Sequence, residues 1–91
     1  MKSAYELAME RLSKSAPSKS LTAAQKSELA DLESLYKSRL AQLDLRTQDE
    51  LAAAREAGDF EKEETIRTHF QREKAQIEAE REAKKERVRL G

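Results

Sequence analysis

The stretch Ala54-Arg55-Glu56-Ala57-Gly58-Asp59-Phe60-Glu61-Lys62-Glu63 decides the fold of this chain. It holds the one strong break between two long helix-forming runs. The sole proline is Pro17, and the only other glycine is the terminal Gly91. Glycine supplies the permissive backbone of a helix C-cap. Asp59 follows as the N-cap of the next helix, with its carboxylate at the positive helix end. A single break between two amphipathic runs predicts a helical hairpin turning at 58–59.

Upstream, helix 2 is predicted over about 23–57. Thr22 and Gln25 have capping-box spacing, in which each side chain satisfies a free amide at the helix start. The apolar stripe is Leu29, Leu32, Tyr36, Leu40, Leu43, Thr47, Leu51 and Ala54. Leu29, Leu40 and Leu51 recur at eleven residues, as do Leu32, Leu43 and Ala54. Eleven residues over three turns is close to the straight-helix period, so a nearly straight rod is expected rather than a strict heptad zipper. Downstream, helix 3 is predicted over about 60–90. Its stripe is Phe60, Ile66, Phe70, Ile77 and Val88, again with eleven-residue spacing in Ile66, Ile77 and Val88.

Folding at Gly58-Asp59 pairs residues whose numbers add to about 117. Leu51 then faces Ile66, Thr47 faces Phe70, Leu40 faces Ile77, and Leu29 faces Val88. Four pairs match in one register, which gives an antiparallel rod of about 45 Å at 1.5 Å per residue.

Helix 1 is predicted over about 4–15, opened by a Ser3/Glu6 capping box. Tyr5, Ala8 and Leu12 share a face, with Met9 and Ala16 beside them. So short a helix is marginal alone in water and has to dock. The connection Ala16 to Ser20, broken by Pro17, folds it back so that Tyr5 approaches Leu32 and Ala8 approaches Leu29. The expected fold class is therefore all-α. It is a single domain over 1–91, a coiled-coil-like long hairpin with an eleven-residue repeat and a short N-terminal helix packed at its open end.

Composition agrees with thin helical layers. Apolar residues make up 37 %, charged residues 40 % and aromatics 4 %. That suits helices that each bury one stripe. The net charge is zero, which separates the chain from the low-hydropathy, high-charge class of disordered proteins. With no cysteine there is no disulfide framework or thiolate metal site. The N-terminal run lacks a signal-peptide pattern, and no stretch approaches the length of a membrane span. The expected setting is cytoplasmic, away from membranes.

Charge is unevenly spread. Residues 1–27 carry five basic and two acidic residues, and residues 81–91 the same. Residues 28–80 carry eight basic and fourteen acidic. The hairpin gathers both basic segments at its open end and much of the acid near the turn. Much of this complements the helix dipoles and forms solvated i,i+4 pairs.

Catalytic chemistry finds no footing. His69 is the one histidine, and it falls at the edge of the helix 3 stripe. A metal site needs several converging ligands. No glycine-rich phosphate loop or nucleophile–base arrangement is present. Neighbouring carboxylates such as Glu63 and Glu64 point apart, and neither is expected to be desolvated. The chain is read as non-enzymatic, with no cofactor, no metal and no small-molecule substrate.

The stretch from Leu51 to Phe70 resembles the UVR motif of bacterial excision-repair proteins and some chaperone adaptors. Ala54, Asp59, Phe60, Glu61, Ile66 and Arg67 carry the resemblance. Glu63-Glu64 replaces the family's small Ala-Ala pair, and Thr68 replaces its Asp. The resemblance implies a short antiparallel hairpin used for protein–protein contact, with Phe60 plugging the base of the turn.

The function expected is a protein–protein interaction or structural module that self-associates as a homodimer or pairs with another helical protein. Leu32, Leu35, Leu43, Leu45 and Phe70 are the candidate interface. The alternative is a nucleic-acid-associated accessory protein using Lys84, Lys85, Arg87 and Arg89 at the open end.

Overall fold

The computed structural model describes residues 3–15 and 20–91, with side chains described for 3–9 and 20–91. It contains α1 (Ala4–Ser15), α2 (Ala23–Glu56) and α3 (Phe60–Leu90). Among the described residues there is no strand. α2 and α3 pack antiparallel as the expected hairpin. The Pro17 connection and Ala16 lie outside the described residues.

The turn is a complete Schellman motif. Gly58 takes φ +70°. Its N–H donates to the Arg55 carbonyl at 3.0 Å, and the Asp59 N–H donates to the Ala54 carbonyl at 2.9 Å. The Asp59 carboxylate then accepts from the Lys62 N–H at 3.0 Å, capping α3. One residue therefore closes the first helix and opens the second. α2 ends one residue earlier than expected, because Ala57 serves as its C-cap. Nothing lies within 4 Å of a Cβ built on Gly58, so only the left-handed backbone demands glycine there. Gly58→Ala is expected to cost about 1–2 kcal/mol, with Gly58→Asn costing less; urea melts followed by helical circular dichroism would show the difference.

The α2 start has its full capping box. The Gln25 N–H donates to Thr22 Oγ1 at 3.0 Å, and the Thr22 N–H donates to Gln25 Oε1 at 2.8 Å. At α1, the Glu6 N–H donates to Ser3 Oγ at 3.2 Å.

Cross-helix ion pairs fix the register independently of the apolar stripe. Arg39 meets Glu80 and Arg46 meets Glu73, each at 2.8 Å. Arg55 meets Glu63, and Lys85 meets Glu33. Their numbers add to 118 or 119, against the expected 117. Near the open end, Gln25 Nε2 donates to the Val88 carbonyl at 2.8 Å.

The core is one residue wide. Among the described residues, Tyr36, Leu43, Ala54 and Ile66 are its buried apolar side chains, with Thr47 and Glu63 buried among them. Tyr36 and Thr47 are eleven apart, as are Leu43 and Ala54, so burial follows the eleven-residue repeat. Thr47 satisfies its hydroxyl by donating to the Leu43 carbonyl at 2.7 Å. Leu29, Leu32, Leu40, Leu51, Phe70, Ile77 and Val88 are half-buried along the seam.

Phe60 departs from the expected stripe and from the expected plug, being 78 % exposed. It lies six residues before Ile66, about 240° around a helix of 100° per residue. That points it away from α2. α1 is present over the expected residues, but its described face is open. Tyr5, placed beside Leu32 by the sequence, is 74 % exposed, and Ala8 is exposed as well. The radius of gyration is 20.7 Å, against about 12 Å for a compact domain of this length. The molecule is a rod, and its described side chains lie close to its surface.

Candidate interaction surface

The residues that the sequence offered as an interface do not share one face. Leu43 is 4 % exposed and belongs to the hairpin core. Leu45, two residues on, is rotated by about 200° and is 63 % exposed on the outer side of α2. Leu32 and Phe70 are half-buried at the seam. Leu35 is 51 % exposed and lies on the flank of the hairpin, not on its back. An eleven-residue stripe is narrow, so a shift of one or two positions changes the face.

Leu35 opens onto a groove between α2 and α3 of about 430 Å³. Leu32, Leu35 and Val88 form its apolar lining. Glu28 and Asp31 stand on the α2 wall, and Lys84 and Arg87 on the α3 wall. The two walls therefore carry opposite charge.

The same flank continues toward the turn as an ion-paired seam. Glu80 bonds Arg39, whose guanidinium holds the Glu80 carboxyl below the usual carboxylate range. Glu73 bonds Arg46, and His69 Nδ1 lies 3.9 Å from it. His69 is surface-exposed, as its edge position predicted.

Tyr36 sits under two cations. Arg39 is 4.9 Å and Lys84 5.5 Å from its ring centroid, distances that suit cation–π attraction. Its hydroxyl is enclosed and makes no hydrogen bond of standard geometry. It is nevertheless close enough to hold the Lys84 ammonium above the usual lysine value, with Glu80 adding to the effect. The approach matters electrostatically, but it does not supply the hydroxyl with an aligned partner.

Glu63 is the buried carboxylate that sequence reasoning missed. Its side chain is only 8 % exposed, and it receives Arg55 Nε at 2.5 Å and Arg67 at 3.2 Å. Two arginines converging on one carboxylate offset the cost of taking its charge out of water. The signal was available in the i,i+4 spacing of Glu63 and Arg67 and in the hairpin register of Arg55.

Three basic residues of the open end, Lys84, Lys85 and Arg89, are engaged with acids. Lys85 bonds Glu33 and holds that carboxyl below its ordinary value. Lys84 lies 3.8 Å from Glu80, and Arg89 lies 3.4 Å from Glu86. Arg87 and Arg89 are exposed, whereas Lys84 and Lys85 are half-buried. Lys84, Lys85 and Arg89 thus each form an intramolecular pair.

Among the described residues, no group of three histidine or carboxylate side chains converges on a metal position. No described helix is long and apolar enough to cross a membrane. No family model, curated protein or solved structure matches this chain.

Proposed function

We propose that this chain is a non-enzymatic interaction module that acts by self-association of its helical hairpin, as a cytoplasmic homodimer. The observation that carries the reading is the amount of surface left open. The accessible surface is 7344 Å², against about 5400 Å² for a compact monomer of 10.4 kDa. Within that surface, Tyr5, Leu7, Met9 and Leu35 are each half or more exposed. Burying one such side chain contributes roughly 1.5–3 kcal/mol, so a partner that covers several has a strong driving force. A two-helix layer of this size gains little stability alone, and association adds the missing second layer.

Sedimentation equilibrium and light scattering across the micromolar range test this. The expected result is a species of twice the chain mass, with a melting temperature that rises with protein concentration. Leu35→Glu should shift the population toward monomer while leaving helix content intact. A single-chain mass throughout that range, with concentration-independent melting, would remove the proposal.

A further inference from the structure

We propose that the surface through which two copies associate is reciprocal, with α1 of each copy lying in the Leu32–Leu35–Val88 groove of the other, antiparallel to α2. This rests on the self-association reading and names its contact. Two open surfaces on the chain match in kind. The groove has an apolar floor between an acidic α2 wall, Glu28 and Asp31, and a basic α3 wall, Lys84 and Arg87. α1 is a helix whose described apolar residues are uncovered, Tyr5 at 74 % and Met9 at 51 % exposure on one side and Leu7 at 50 % on the other. A free helix of 12 residues is marginal in water, so α1 needs an apolar bed.

Charge sets the direction. At 100° per residue, Tyr5, Ala8 and Met9 share one side of α1, and Glu6 flanks that side on one edge only. Looking along α2 from its N-terminus with the groove uppermost, the acidic wall is on the left and the basic wall on the right. A right-handed helix lying with that apolar side down and antiparallel to α2 presents Glu6 to the right. Glu6 then meets Lys84 and Arg87 on the α3 wall. The opposite direction sets Glu6 against Glu28 and Asp31, acid against acid. Only one orientation joins opposite charges, and electrostatic complementarity of this kind fixes register and direction more than raw affinity.

A second copy is the occupant because one chain in this structure leaves both halves open: Tyr5 on α1 and Leu35 in the groove. Reciprocal exchange about a twofold axis closes both halves on both copies with one type of contact.

The test is a charge-reversal mixing experiment on the full chain, read by sedimentation equilibrium. Glu6→Lys and Arg87→Glu each place like charges at both contacts of their own homodimer. Each is expected to raise the dimer Kd about tenfold, the equivalent of two surface pairs. Mixed in equal amounts, the variants form a heterodimer in which the lysine introduced in one meets the glutamate introduced in the other. The second contact of that heterodimer keeps the native Glu6 and Arg87. Dimer affinity should return to near the wild-type value. Circular dichroism of each variant checks that helix content is unchanged. A wild-type dimer indifferent to both substitutions overturns this contact and leaves self-association standing. Weakening that mixing does not repair also overturns it, because α1 would then be folding back on its own chain. A monomeric wild type removes the parent reading itself.

Discussion

Tyr36→Ala is expected to lower the stability of the hairpin by about 3–5 kcal/mol, the range for deleting a buried aromatic ring. Tyr36 is the largest side chain that is fully buried, and the core it belongs to holds only three other buried apolar residues among those described. A one-residue-wide core has no second layer to collapse into the gap. The loss also removes the surface over which Arg39 and Lys84 are held. Tyr36→Phe should behave differently. It keeps the ring and discards a hydroxyl that is enclosed without a hydrogen bond, so its stability should stay within about 1 kcal/mol of wild type. Urea melts at one fixed protein concentration separate the two variants. Equal losses would mean that the hydroxyl, and not ring packing, holds this part of the rod.

The second large effect is expected at Glu63. Arg55→Ala together with Arg67→Ala should cost about 3 kcal/mol, because a buried carboxylate is left without a counter-charge. Each single substitution should cost about 1 kcal/mol, since the remaining arginine still reaches Glu63. The pair is thus more than additive, as expected for groups that share one partner. Glu63→Met should be close to neutral. Both arginines are about half or more exposed and return to water when the carboxylate is gone. Thermal melts of the wild type, the two single variants and the double variant form a complete cycle. A double substitution no worse than either single one would show that Glu63 is hydrated in solution.

The sequence made the hairpin legible because its signals are local and repeat. The Thr22–Gln25 box, the Gly58-Asp59 turn and the eleven-residue spacing each depend on neighbours within a few turns. The register followed, since a turn with no spare residues leaves the facing pairs little room to slide. Three side-chain placements resisted. Phe60 looked like a core residue by type, but its position at the very start of α3 turns it outward. Glu63 looked like a surface residue by type, yet it is buried because two arginines reach it from different helices. Leu43 and Leu35 are the same residue type eight positions apart, and only the phase of the seam separates core from flank. Each case turns on rotation by a fraction of a helical turn, a quantity that a residue's polarity does not report. α1 resisted for another reason. Its place depends on docking against other helices, and the apolar spacing of its own sequence does not choose between its own hairpin and a second one.

The eleven-residue seam makes the hairpin a graduated ruler. Three turns of α2 lie against three turns of α3, and the pattern then starts again in the same phase. Length can therefore change only in matched steps, one unit added to each arm at once, each lengthening the rod by roughly 16 Å. A step in one arm alone would shift every cross-helix pair between the change and the open end. The separation of the basic open end from the acidic turn is thereby held against gradual drift and can change only by whole repeats.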